Sequence, residues 1–200
     1  MMRNPILTAI LGLFLLFGFV PFGQADEAAE ITKMTKEKVN NIITYLRDTS
    51  LEKETRNKQI IAEVNTIFDF KLMAQLSLGK QWKKTKKRQR KEFVKVFVKR
   101  IQQSYLEKLD LYTDEEVIIG DAKQTKKKRA VLTTYLVSAD DDKKEMIYKF
   151  RKHKKRGWLV YDVNILGVSF IQTYRSQFAG VLKTKTMDEL IEDLKNPEKS

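Results

Sequence analysis

Residues able to do chemistry are few in this chain, and their surroundings argue against catalysis. His153 is the only histidine, and it sits in Arg151-Lys152-His153-Lys154-Lys155-Arg156, a run that reads as a solvated turn. There is no cysteine, so thiol nucleophiles, disulfides and cysteine-based zinc sites are excluded. Asp140-Asp141-Asp142 offers three carboxylates, but no EF-hand spacing follows them, and the run reads as a hairpin turn. Asp69 and Asp162 each sit between apolar or aromatic residues. They could form a carboxylate pair, but hydrogen bonding within local structure is the reading adopted. Neither a Gly-rich phosphate loop nor a Gly-x-Ser-x-Gly elbow is present. The sequence therefore predicts no enzyme, no metal site and no cofactor.

Charge points instead to binding. The 200 residues carry a net charge of +13, and Lys83–Lys91 holds seven Lys or Arg in nine positions. A solvated face at a helix start is the plain reading of that run, and a docking patch for an acidic membrane or partner is the sharper one. A helix N-terminus favours acids, so cations there carry a local cost. Arg156-Gly157-Trp158 faintly resembles the start of an RNA-recognition strand, but Leu159 and Val160 depart from it, and nucleic acid is not expected as a partner.

The elements that must position these residues change period halfway along. Ile31, Met34, Val39, Ile42, Ile43 and Leu46 predict a helix from Asp26, with Asp26, Glu27 and Glu30 at its start. Ile60, Ile61, Val64, Ile67 and Phe68 predict a second, which could continue through Phe70, Leu72, Met73 and Leu76 to a stop at Gly79. The longest helix is expected after an N-cap at Thr85, with Phe93, Phe97, Ile101, Tyr105 and Leu109 on one face. Then the period becomes two: Val117–Ile119, Ala130–Val137, Met146–Arg151 and Trp158–Val163 read as strands joined by polar turns. Helices over about 169–182 and 187–194 close the chain, the second with Thr186 and Glu189 in capping-box spacing. The fold class is α+β, an antiparallel sheet of about four strands packed by several helices.

The first 25 residues read as a secretory signal peptide. Arg3 is the positive n-region, Ile6–Val20 the apolar run, and Gly23-Gln24-Ala25 the cleavage site. Pro21 would break the helix before cleavage. The run of 15 residues is short for a membrane span, which needs about 20. No cysteine follows it, so no lipoprotein anchor is expected. The domain plan is signal 1–25, one domain over 26–195 and a frayed tail 196–200. From Asp26 onward 38 basic residues face 26 acidic ones, a net +12. After export such a surface would be drawn to anionic lipid headgroups and lipopolysaccharide.

Large apolar side chains accumulate on elements that should face one another: Phe70, Met73, Leu76, Phe93, Phe97, Met146, Tyr148, Phe150, Tyr174 and Phe178. Periodicity leaves open whether they form a solid core or stand around a cavity.

Phe68-Asp69-Phe70, Met73-Ala74, Leu78-Gly79 and Trp82, with Gln89, Phe93, Phe97 and Tyr105, occur in an order that resembles the MlaC family of periplasmic phospholipid-binding proteins, the toluene-tolerance family. Trp158-Leu159-Val160-Tyr161-Asp162-Val163, Gly167-Val168-Ser169 and Tyr174-Arg175-Ser176-Gln177-Phe178 extend the likeness over about 26–194. Three features depart from the pattern. Lys83–Lys91 is more basic than usual, Ile165-Leu166 stands where an acidic residue often precedes the glycine, and Thr173 where Asn is usual.

The resemblance implies that sheet and helices enclose an apolar pocket for phospholipid acyl chains. Candidate lining residues are Phe70, Met73, Phe93, Phe97, Met146, Tyr148, Phe150, Val160, Val168, Ile171, Tyr174 and Phe178. It also implies a soluble, monomeric protein of the Gram-negative periplasm. Such a protein would shuttle lipid between an outer-membrane lipoprotein complex and an inner-membrane ABC transporter with its substrate-binding component, maintaining outer-membrane lipid asymmetry. A hopanoid-associated paralogue of the same family, or an exported basic module binding anionic envelope polymer, is the alternative.

Overall fold

The computed structural model describes residues 22–110, 112 and 115–196. Residues 1–21 of the expected signal peptide, and 197–200 of the expected tail, lie outside the described residues. The chain runs α1 (Phe22–Arg47), α2 (Lys53–Ile67), α3 (Phe70–Leu78), α4 (Gln81–Lys84) and α5 (Lys87–Leu109), then six strands. These are β1 (Glu116–Ile119), β2 (Lys123–Lys126), β3 (Arg129–Val137), β4 (Lys143–His153), β5 (Gly157–Ile165) and β6 (Val168–Ser169). Helices α6 (Phe170–Val181) and α7 (Met187–Lys195) follow. Among the described residues no helix is long and apolar enough to cross a membrane.

The sheet is antiparallel in the order β1-β3-β4-β5-β6, with β2 also pairing on β3. Six strands replace the four expected, because β2 is Lys-Gln-Thr-Lys, without an apolar residue, and β6 is two residues long. The Asp140–Asp142 turn forms as expected, with Asp141 at φ 66° and the Ser138 amide donating to the Asp142 carbonyl.

Four helical expectations are corrected. α1 starts at Phe22, so Asp26, Glu27 and Glu30 lie beyond its first turn. Glu27 is used elsewhere, accepting from Lys152 Nζ and Gln124 Nε2. The second helix does not run on to Gly79: it breaks at Phe68-Asp69, where Phe68 bridges to Val160 on β5 and the Asp69 amide donates to the Val160 carbonyl at 2.8 Å. A sheet edge thus outcompetes helix propagation. Thr85 is not the cap of α5; its Oγ1 donates to the Gln81 carbonyl at 2.8 Å and closes α4, leaving Lys86 as N-cap. With 26 residues against 23, α1 and not α5 is the longest helix.

Asp69 and Asp162 are local organisers, not a pair. Asp69 caps α3 by accepting from the Leu72 amide at 3.1 Å. Asp162, buried on β5, accepts from Lys149 Nζ at 2.9 Å, Ser169 Oγ at 2.7 Å and the Ile171 amide at 3.1 Å. It thereby fixes the start of α6, whose N-cap is Ser169. Replacing Asp162 by alanine strands a half-buried lysine and frees the helix start, so unfolding free energy should fall by about 2–4 kcal/mol. Urea unfolding with an unchanged m-value is the measurement.

Gly79 ends α3 at φ +53°, and the Arg175 guanidinium lies over it, with Nε 2.7 Å from where a Cβ would stand. Both the backbone angle and the arginine require glycine there.

Candidate ligand cleft

Buried apolar residues form three clusters. The first joins α3, α5, α6 and α7 through Met73, Leu78, Phe93, Phe97, Ile171, Phe178 and Leu190. The second joins α1 to the sheet through Ile31, Leu132, Phe150, Trp158 and Val160. The third joins α1 and α2 through Ile42, Ile60 and Val64, with Leu106 and Leu109 of α5 against it. Phe68 is the one residue packed against all three. The three clusters meet at Phe68, and the second already packs a helix against the sheet.

What lies between them is marked by Tyr105. Burial among protein atoms pushes its phenol well above the ordinary value, and the Tyr148 phenol across the gap on β4 adds to the effect. Yet 37% of Tyr105 is accessible. Tyr105 is thus only partly covered, with Tyr148 of β4 close enough to affect it. α5 packs chiefly on α3 and α7. Burial also raises the Tyr148 phenol, offset in part by the Thr134 hydroxyl, and raises that of Tyr174, offset by Arg100.

A tyrosine is neutral below its pKa, so a raised folded value favours the native state below the ordinary value. That contribution is lost as pH rises through the folded values. The absorbance titration should therefore show Tyr105, Tyr148 and Tyr174 ionising later than the remaining tyrosines, and stability should fall above about pH 10. A single titration at the ordinary value for every tyrosine would contradict the enclosed geometry.

The twelve residues expected to line a pocket divide by position. Phe93, Phe97, Met73, Ile171 and Phe178 are buried inside the helical cluster, with Phe93 and Phe97 stacked and both edge-on to Phe178. Phe150 and Val160 are buried under α1. Phe70, Met146, Tyr148 and Tyr174 are half-buried at the margins between clusters. Val168 is 62% exposed on β6. Tyr105 was absent from that set; its signal was the i, i+4 stripe Phe93, Phe97, Ile101, Tyr105, whose last member is the open one.

Two surface grooves are of another kind. A groove of about 750 Å³ between α5 and α7 is lined by Arg88, Lys91, Glu92, Lys95, Glu192 and Lys195. Another of about 490 Å³ lies between α1 and the Asp121-Ala122 turn. Neither is an apolar interior. The basic run is largely exposed; Arg90 is its half-buried member, stacking over Trp82 at 5.3 Å. His153 accepts from the Lys155 and Arg156 amides at the β4–β5 turn. Among the described residues no group of three His, Cys, Asp or Glu could hold a metal.

A helical layer packed against an antiparallel meander defines an α+β protein. The chain belongs to the MlaC family, whose model matches residues 36–196. It is similar to the intermembrane phospholipid transport system binding protein MlaC of Haemophilus influenzae, with 30% identity over 117 residues, 57% of this chain and 55% of that one. The matched region is thus about half the length of the curated relative. Its fold is that of the phospholipid-binding protein from Ralstonia solanacearum, solved in complex with a phospholipid. That match has a TM-score of 0.72 at 19% identity, covering 82% of this chain and 94% of the other.

Proposed function

We propose that the cleft holds the acyl chains of a phospholipid and that this protein is a lipid carrier, not an enzyme. The observation that carries this reading is the set of large side chains left partly covered at the margins between clusters. In this reading Tyr105, Tyr148, Phe70, Met146 and Tyr174, each only partly covered, are the residues that would meet the acyl chains. Phe93, Phe97, Met73, Ile171, Phe178, Phe150 and Val160 brace the two walls behind them. Family membership and the names of the relatives, a phospholipid transport binding protein and a phospholipid-binding protein, support the same ligand class.

Carriage needs no chemistry. Two acyl chains with about 30 methylenes gain about 24 kcal/mol on leaving water, at roughly 0.8 each. A bilayer offers the same gain, so transfer is near neutral and the barrier is the exposed intermediate. Docking against a membrane complex removes that barrier, and an energised partner sets direction. In this reading residues 1–25 direct export and are removed, and the monomer works in a Gram-negative periplasm. It moves lipid between an outer-membrane lipoprotein complex and an inner-membrane ABC transporter with its substrate-binding component.

The test is native mass spectrometry with lipid extraction of protein purified from the cell envelope. Stoichiometric phospholipid is expected. A bare protein mass with no extractable lipid would refute the proposal, and salt-sensitive binding of anionic polymer without internal lipid would favour a surface-binding module.

A further inference from the structure

Between Lys144 and Lys152 of β4, one face of the sheet carries a row of apolar side chains on β4, β5 and β6 whose burial falls toward one end. Register places Phe150 opposite Val160, Tyr148 opposite Val163, Met146 opposite Ile165, and Ile165 opposite Val168. Opposed residues share a face, and the bulge at Lys149/Phe150 keeps Val160 and Val163 on the same side. Phe150 and Val160 are 1% exposed, Tyr148 and Met146 half-buried, Ile165 45% and Val168 62%. The turn that joins the last two adds Leu166, 63% exposed. The wall of the cleft therefore runs unbroken to the surface and ends in a bare apolar tip.

That tip is costly to keep. Leu166 has φ +50°, the left-handed region where a bulky side chain is strained and where Asn or Gly would sit easily. Gly167 follows at φ +81° and completes the turn. Neither strain nor exposure contributes to folding. Around the tip, Val163–Tyr174 is a stretch of 12 residues without one charge, in a chain that is 32% charged.

We propose that the hairpin tip Ile165-Leu166-Gly167-Val168 inserts into the interfacial zone of a phospholipid bilayer, forming an apolar lip by which an acyl chain passes between membrane and cleft. The proposal rests on the lipid-carrier reading above. Three side chains are far too little for a stable protein interface, which takes about 800 Å² from each partner. They suit interfacial insertion, in which a small apolar surface enters the headgroup boundary. An uncharged tip enters without desolvating an ion, and the net +12 from Asp26 onward draws the molecule as a whole to an anionic bilayer. The neighbouring β3–β4 hairpin brings Asp140, Asp141, Asp142 and Glu145 as well as Lys143 and Lys144 to the same end of the sheet, so entry there is driven by the apolar side chains and not by local positive charge.

The test is flotation of the processed protein with vesicles of phosphatidylethanolamine and phosphatidylglycerol, comparing wild type with Leu166→Asn and with the double variant Leu166→Asn/Val168→Thr. Asn relieves the strain, so the single variant should melt at the same or a higher temperature. Vesicle affinity in the double variant should fall about tenfold, with part of the wild-type binding surviving high salt. Unchanged affinity in the double variant overturns the proposal, and so does wild-type binding that high salt abolishes completely. Wild-type protein that ignores vesicles altogether overturns it too, and would point to a protein partner. Absence of lipid from the wild type would refute the carrier reading while leaving the vesicle result to stand or fall separately.

Discussion

Phe93→Ala should lower the unfolding free energy by about 3–5 kcal/mol, the usual cost of deleting a fully buried ring. The ring has no accessible surface, stacks on Phe97 at 5.5 Å between centroids and meets Phe178 edge-on at the same distance. Its neighbours are held on three separate helices, α3, α5 and α6, so they cannot collapse together to fill the space. Aspartate at the same position would bury an unpaired carboxylate in the cluster and leave little folded protein to assay. The informative comparison is therefore Phe93→Ala measured twice, by denaturant unfolding and by lipid content per folded molecule. Large destabilisation with unchanged lipid content is expected of a residue that braces the wall. Lipid content falling in proportion to stability would place the ring in contact with ligand instead.

The opposite pattern is expected at Tyr105. Tyr105→Asp should reduce co-purifying phospholipid at least tenfold at a stability cost of about 1–3 kcal/mol, below that of Phe93→Ala, because the side chain is only partly covered. The surroundings that raise the phenol also disfavour a carboxylate, and an acyl chain beside it would strip away the water that remains. Tyr148→Asp should behave similarly toward lipid, with a larger stability cost, since Tyr148 also packs on the sheet cluster. Circular dichroism and extracted phospholipid together decide the matter. Full lipid occupancy in both variants would mean that the space beneath α5 is not where the ligand sits.

Much of the architecture was legible because it is written in periods. The i, i+4 stripe from Phe93 to Tyr105 and the alternation Met146, Tyr148, Phe150 each announce one helix face and one strand face without reference to the rest of the molecule. The Thr186–Glu189 capping box formed as spaced, with the Glu189 carboxylate accepting from the Thr186 amide at 2.7 Å. What was not legible depends on contacts between distant segments. The break at Phe68-Asp69 exists because β5, ninety residues on, offers the Val160 carbonyl as an alternative to the next helical turn. β2 has no apolar residue to predict it and forms through its pairing to β3 and the Gln124–Glu27 hydrogen bond to α1. The division of candidate residues between packed core and cleft was equally hidden. Phe97 and Tyr105 lie on the same stripe two turns apart, and only the placement of α6 and α7 covers one and leaves the other open.

Phe68, the one residue common to all three apolar clusters, has a mechanical consequence. A single continuous core resists dilation, since any widening opens contacts throughout it. Phe68 is not the only tie between helices and sheet, because α1 packs on the sheet through Ile31, the Ile171 amide of α6 donates to Asp162 on β5, and the Ala122 amide donates to Thr32 of α1. A shift of one layer on the other would strain all of these at once, so the layers are braced at points spread along the sheet and not hinged at one ring.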